Sequence, residues 1–230
     1  MKTIGIIGGM SWESTVPYYR DVNELVKQRL GGLHSAKLIL YSVDFHEVEA
    51  LQREGRWSEA GTMMARAATA LEGAGAELVI LATNTMHEVA PAIEAAIHVP
   101  FIHIADPTAA AIKAAGLTTV GLLGTRFTME RDFYRKRLTD LHGIAVVVPA
   151  EEDRAEVHRV IYEELALGTF SETSRQAFRE IIGHLVAAGA EGVILGCTEI
   201  GLLVSAEDSP VPLFDTGSLH VRAAVDAALE

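Results

Sequence analysis

A chain of 230 residues with 49% apolar residues can bury a full core, as one large α/β domain or two of about 115, and is not a disordered composition. Its net charge of −12 argues against nucleic acid as the main partner, since phosphate binding needs a basic footprint, though it says little about small anions. A single cysteine excludes an internal disulfide, the N-terminal apolar run is too short for a signal peptide, and no run approaches the ~18 apolar residues of a membrane helix. The expected protein is cytoplasmic and takes a small molecule, with neither nucleic acid nor membrane as partner.

Thr3 to Ile7 is a short apolar run closed by Gly8-Gly9, which reads as a buried parallel strand ending in a tight turn. Met10-Ser11-Trp12-Glu13 follows, then a helical stretch to about Leu30, with Ser14 or Thr15 as N-cap and Pro17 in the first turn. Ala36 to Val43 is a second strand, leading through Asp44-Phe45-His46 to a helix or loop over Glu47 to Glu54. Trp57 to Gly73 reads as an Ala-rich helix, Leu78 to Ala82 as a third strand, and Val99 to Ile104 as a fourth before a helix from Thr108 to Ala115. Thr119 to Gly124 starts a second series. A helix over Thr128 to Leu141, a strand over Ile144 to Val148, two helices (about Arg154 to Leu165 and Glu172 to Ala188) and a strand entering Cys197 follow. Val211 to Phe214 and a last helix, Thr216 to Leu229, close it.

The second series copies the first. Thr119-Val120-Gly121-Leu122-Leu123-Gly124 repeats Thr3-Ile4-Gly5-Ile6-Ile7-Gly8 at an offset of 116. The segment from Gly189 to Cys197 repeats that from Gly75 to Thr83 at 114, with six of nine positions identical, and Val211-Pro212 repeats Val99-Pro100 at 112. Three near-equal offsets in one order mean an internal duplication. Strands alternating with helices mean parallel sheets. The expected fold is therefore α/β, with two similar open parallel-sheet domains related by a pseudo-twofold axis. Residues 1–99 with 208–230 form the first, including a returning C-terminal helix, and residues 100–207 form the second. Ligands of such sheets sit beyond the carboxyl ends of the strands, where Gly8, Thr83, Gly124 and Cys197 fall, and the active site is expected in the interdomain cleft. Such a cleft often goes with a dimer that steadies it, so a homodimer is an expected state.

A thiol at one strand end and a hydroxyl at its copy suggest proton transfer across a flat intermediate. Racemising a carbon acid takes a base on one face of the Cα–H bond and an acid on the other. Cysteine suits this because its ordinary pKa of ~8.5 falls at a helix N-terminus, and Cys197-Thr198-Glu199 reads as a strand-to-helix junction. The amides there and after Thr83 offer a carboxylate site. A buried apolar role for Cys197 and a simple capping role for Thr83-Asn84-Thr85 are the bland alternatives. A hydroxyl is a poor base, so the two faces are expected to be unequal and one enantiomer to be processed faster. Gly8-Gly9-Met10-Ser11 lacks the spaced glycines of a nucleotide site and reads as a turn offering amides and Ser11 to a small carboxylate. Thr125-Arg126-Phe127-Thr128 takes the matching place in the second half, with Arg126 either an anion reader or a surface charge. The histidines, among them His46, His87 and His103, show no metal-ligand spacing and read as surface or capping residues.

On Ile4-Gly5-Ile6-Ile7-Gly8-Gly9-Met10, Thr83-Asn84-Thr85-Met86-His87, Leu123-Gly124-Thr125 and Gly196-Cys197-Thr198-Glu199, the sequence resembles the aspartate/glutamate racemase family. The resemblance implies two α/β domains, no cofactor, and catalysis by two cysteines. Of these Cys197 matches one, while Thr83 stands in the other's place, as in the broad-specificity or L-aspartate/L-glutamate-specific racemases. It also implies substrate contacts at Asn84, Thr85, Thr125 and Thr198. With Met10, Ser11 and Thr128 of the turns, and Gln52 after the second strand, these form the expected substrate-binding set. Aspartate racemases of the family read the side-chain carboxylate with basic residues. The matching regions here hold Gln52-Arg53 and no lysine near Ala166-Leu167-Gly168. The expected activity is cofactor-independent inversion of aspartate, glutamate or related amino acids. A related racemase, isomerase or decarboxylase (hydantoin racemase, maleate isomerase) and a non-catalytic amino-acid-binding module are the alternatives.

Overall fold

Each half of the chain builds one four-stranded parallel sheet. The computed structural model describes all 230 residues. In the first half the strands are β1 (Ile4–Gly8), β2 (Leu38–Ser42), β3 (Leu78–Leu81) and β4 (Phe101–Ile102), in the order β2-β1-β3-β4. In the second they are β5 (Thr119–Gly124), β6 (Ala145–Val147), β7 (Val193–Gly196) and β8 (Leu213–Asp215), in the order β6-β5-β7-β8. Both sheets put their first strand between their second and third. The copied sequence thus gives a copied topology, and both sheets reverse winding direction beside that first strand. β1, β3 and β7 are buried along their whole length, which is why they read as unbroken apolar runs.

The helices of the first series are α1 (Trp12–Leu30), α2 (Phe45–Arg53), α3 (Trp57–Gly73) and α4 (Ala90–Glu94). The second series has α5 (Ala105–Ala114), α6 (Arg126–Glu130), α7 (Asp132–Lys136), α8 (Glu151–Glu163), α9 (Glu172–Ala187), α10 (Ile200–Leu203) and α11 (Thr216–Leu229). One face of the first sheet packs Ile4, Ile6 and Ile80 against Tyr18, Val22 and Val26 of α1 and Val221, Ala224 and Val225 of α11. The other face packs Ile7, Val79 and Leu81 against Met64, Ala67 and Leu71 of α3. In the second sheet Val193 and Leu195 pack with Val157 and Val160 of α8 and Phe178 and Ile182 of α9. No helix is long and apolar enough to cross a membrane.

The chain divides into a unit of Met1–Ile104 with His220–Glu230 and a unit of Ala105–Leu219. These limits lie later than 99/100 and 207/208 because of strand pairing. Phe101 and Ile102 pair with Val79 and Ile80, while Leu213 to Asp215 pair with Val193 to Leu195, so each crossover comes after the fourth strand. Two local expectations also change. α1 starts at Trp12 with Ser11 in the N-cap position, because Ser14 and Thr15 turn their hydroxyls back to the Ser11 carbonyl at 3.2 and 2.9 Å. Pro17 then lies inside the helix. The helix read over Thr128 to Leu141 is interrupted by Arg131, whose backbone is extended (ψ 155°), and ends in a π-helical turn, Arg137–Leu141.

Glycines bring β5 and β7 together where Thr125 and Cys197 leave the sheet. A Cβ on Gly196 would stand 2.6 Å from the Leu123 carbonyl oxygen and 2.8 Å from Leu122 Cδ1, and one on Gly124 would stand 2.7 Å from the Gly196 carbonyl. Gly196→Ala must therefore push two strands apart, and is expected to destabilise the protein by about 1–3 kcal/mol in denaturant unfolding. Gly183 of α9 has open space around it, so Gly183→Ala is expected to stabilise by about 0.5–1 kcal/mol. Equal effects of the two substitutions would contradict this packing argument.

Candidate active site

In the first unit the strand ends are fixed by backbone and hydroxyl contacts. The Ala82 amide donates to the Ile7 carbonyl at 2.8 Å and the Thr83 amide to the Leu81 carbonyl at 2.9 Å, which ends β3 beside β1. The Gly9 amide donates to Thr15 Oγ1 at 2.8 Å, and Gly9 has φ +93°, a conformation only glycine takes without strain. The turn so formed buries Ser11 and puts Met10 in the apolar cluster with Ile7, Val48 and Leu51. Gln52 is buried on α2 and donates through Nε2 to Met86 Sδ at 3.1 Å. Asn84 and Thr85 are buried at the start of a 3₁₀ turn, Thr85–Val89.

Thr83 itself is 8% exposed. His87 locks its carbonyl. The Ile104 amide donates to His87 Nε2 at 3.1 Å, so the proton sits on Nδ1, which donates to the Thr83 carbonyl at 2.7 Å. The imidazole is thereby neutral, with its ring against His103 at a centroid distance of 4.4 Å. His220 is a second such post, donating from Nε2 to the Ile102 carbonyl at 2.8 Å and accepting from the Tyr18 hydroxyl at 3.1 Å. His87, His103 and His220 are therefore buried core histidines, not the surface or capping residues their spacing suggested.

In the second unit Gly124 pairs with Gly196, so Thr125 and Cys197 leave adjacent strand ends. The Thr125 side-chain oxygen accepts from the Thr128 amide at 3.3 Å and caps α6, with both threonines buried. The Arg126 amide donates to His158 Nδ1 at 3.2 Å, and burial, followed by the nearby Arg126 charge, holds the His158 pKa below its ordinary value. Two amides of this turn thus already have acceptors within the unit.

Cys197 is 9% exposed, with its thiol donating to Glu199 Oε2 at 2.9 Å. Thr198 Oγ1 donates to the same oxygen at 3.0 Å, so the hydroxyl expected to meet substrate is engaged by Glu199. Glu199 is 3% exposed. Burial, then the adjacent carboxylate, push the thiol pKa well above its ordinary value, while the Thr198 and Glu199 amides pull it down more weakly. A lowered cysteine pKa, expected from a helix N-terminus, is thus reversed. The following helix, α10, has only four residues, and two amides do not outweigh desolvation and a neighbouring negative charge. Glu199 belongs to the motif read in the sequence, but its contact with the thiol does not follow from that motif. Its signal was its place two residues after the cysteine, where it read only as polar.

The candidate residues fall into two groups. Met10, Ser11, Gln52, Thr83, Asn84 and Thr85 belong to the first unit, and Thr125, Thr128, Cys197 and Thr198 to the second. A groove of about 820 Å³ in the first unit lies elsewhere, between α3 (Trp57, Gly61, Ala65) and the Glu88–Ala92 segment, and no candidate residue lines it. No group of three or more His, Cys, Asp or Glu side chains is placed to hold a metal ion.

The profile of the Asp/Glu/hydantoin racemase family matches residues 7–224. The chain belongs to this family. Among proteins of the family, the broad-specificity amino-acid racemase RacX of Bacillus subtilis is 24% identical over 98% of both chains. A candidate Asp/Glu racemase of Yersinia pestis has a crystal structure that is 59% identical, with TM-score 0.93 and full coverage of both chains. An aspartate racemase homologue from Pyrococcus horikoshii is 39% identical, again with full coverage and TM-score 0.85. The aspartate racemase of Picrophilus torridus, 22% identical over 99% of this chain and 94% of its own, shares the fold at TM-score 0.77.

Proposed function

We propose that this racemase-family protein inverts the α-carbon of aspartate, glutamate or a related amino acid without a cofactor. Cys197 serves one face of the Cα–H bond and Thr83 the other. The observation that carries this reading is the copied strand end, with a thiol held on a carboxylate after β7 and a hydroxyl at the matching position after β3. Cys197 takes the α-proton from one enantiomer and returns it to the planar carbanion formed from the other. Thr83 donates or relays a proton on its own face and is the weaker partner, because a hydroxyl ionises far above neutral pH. Ser11, Asn84, Thr85, Thr125 and Thr128 hold the amino acid through hydroxyls, the amide side chain and the amides of the strand-end turns. The protein works in the cytoplasm, its partner is the amino acid alone, and a homodimer is its expected state.

Incubation with each enantiomer of aspartate and glutamate in D₂O tests this reading. It expects deuterium at Cα and inversion of configuration, measured by mass spectrometry and chiral chromatography. Hydantoins and maleate in the same panel address the related reactions. Saturable binding of an amino acid without deuterium uptake would leave a binding module and end the proposal.

A further inference from the structure

The two sheets follow one path but end in unlike outer edges. β6, the copy of β2, pairs over three residues and exposes no large apolar side chain. β2 pairs over five, Leu38-Ile39-Leu40-Tyr41-Ser42, none of them charged or a proline. Edge strands are commonly guarded by charge, proline or shortness, and β2 has none of these. Leu40 and Tyr41 are each 42% exposed, on opposite faces of the sheet. The outer backbone of β2 is open as well. The Lys37 carbonyl accepts from the Ile4 amide at 2.9 Å and the Val43 amide donates to the Gly8 carbonyl at 3.0 Å, so residues 37, 39, 41 and 43 turn their peptide groups to β1. Leu38, Leu40 and Ser42 turn theirs outwards, and their three amides and three carbonyls have no partner in the chain.

We infer that β2 is the pairing edge of a homodimer, joined antiparallel to β2 of a second copy about a twofold axis at Leu40. This gives the homodimer expected from the sequence its interface, and it does not depend on which reaction the protein performs. The outward residues are symmetric about Leu40. Antiparallel pairing sets Leu40 against Leu40 of the second copy, and Leu38 of each copy against Ser42 of the other. Each open amide then meets an open carbonyl. The same patch is used on both sides, so the contact closes at two copies and leaves no free β2 edge.

Charge and helix packing also specify a second copy. A chain of net charge −12 repels its own kind over most of its surface, but β2 is uncharged from Leu38 to Val43. Lys37 precedes the strand and Asp44 follows it, so antiparallel pairing brings each lysine to the acidic end of the other strand, whereas parallel pairing would set like beside like. On α1, Trp12, Val16, Tyr19 and Asn23 fall at i, i+4, i+7 and i+11, an uncharged stripe whose first three members are exposed. α1 lies over β1 and β2. Asn23 Oδ1 accepts from the Ala36 amide at 3.0 Å, and a Cβ on Gly8 would stand 2.5 Å from Thr15 Cγ2 and 3.1 Å from Leu40 Cδ1. With strands about 4.8 Å apart, a helix over the outer two strands stands about 10 Å from its copy across the axis, the spacing of packed helices.

The test measures the mass in solution of wild type, Leu40→Lys and Tyr19→Lys by sedimentation over a range of concentrations, with far-UV circular dichroism as the fold control. Wild type should be a dimer. Leu40→Lys sets two like charges against each other at the axis and should raise the dimer Kd about 10²-fold or more, and Tyr19→Lys, on the helix surface where folding does not need the ring, about tenfold. The register is read by a short bismaleimide on Leu40→Cys and Lys37→Cys, each in a Cys197→Ser background because Cys197 is the only other thiol. Leu40→Cys meets its own copy and should cross-link, while Lys37→Cys lies about 20 Å from its copy and should not. A wild-type monomer at every concentration, assembly beyond two copies, or the opposite cross-linking pattern overturns the inference. A dimer unchanged by both lysine variants also overturns it and puts the homodimer on another face. None of these readouts uses turnover, so a failure of the racemase reading appears separately, in the D₂O incubation.

Discussion

Cys197→Ser should lower inversion of both enantiomers by about 10²–10⁴-fold while leaving the fold intact. Serine keeps a donor to Glu199 and nearly the size of the thiol, so the buried carboxylate is not stranded. Cys197→Ala, by contrast, removes a donor to a buried charge, at a cost of about 1–3 kcal/mol of stability. The catalytic loss comes from proton affinity, because a serine hydroxyl beside a carboxylate cannot ionise near neutral pH. The two directions must fall together. Enantiomers have equal free energies in water, so inversion has an equilibrium constant of one and kcat/KM is the same from either side. Chiral chromatography starting from each enantiomer, with a denaturant melt as control, measures both quantities. Turnover of Cys197→Ser within tenfold of wild type would remove the thiol from the mechanism.

Much of this architecture is legible in the sequence because of the duplication. Copied apolar runs fix the strands, copied glycines place their ends, and the observed strand orders β2-β1-β3-β4 and β6-β5-β7-β8 are the same path walked twice. What escaped was set by contacts between residues distant in sequence. The unit limits depend on Phe101 pairing with Val79 and on Phe214 pairing with Ile194, and no local pattern reports pairing. Ser14 and Thr15 look like caps in sequence, but in the fold they serve the Ser11 carbonyl and the Gly9 amide. The chemical state of Cys197 escaped for a related reason. A strand-to-helix junction suggests oriented amides and an acidic thiol, but the burial of Glu199 beside it, which reverses the shift, is visible only in three dimensions. The three buried histidines show the same limit, since burial of a polar ring depends on partners such as the Thr83 and Ile102 carbonyls.

On the proposed reading, Thr83→Val should separate proton exchange from inversion. Valine keeps the branched shape but removes the hydroxyl, so protonation on that face should fall about 10²-fold or more, and inversion with it. Exchange on the Cys197 face does not need Thr83. The enantiomer whose α-hydrogen meets Cys197 should therefore take up deuterium from D₂O and keep its configuration, while the other enantiomer takes up almost none. Thr83→Cys should act oppositely by placing a thiol on the weak face. The faster enantiomer expected from the unequal pair must then be understood as a difference in kcat that KM offsets, since kcat/KM is equal in both directions. In Thr83→Cys the two kcat values should converge and the common kcat/KM should rise. That thiol would have no carboxylate like Glu199 two residues on, because Thr85 holds that place. Its gain should therefore grow with pH, by about tenfold per unit until its own pKa. Deuterium uptake by both enantiomers of Thr83→Val with full inversion would show that the second proton comes from another group.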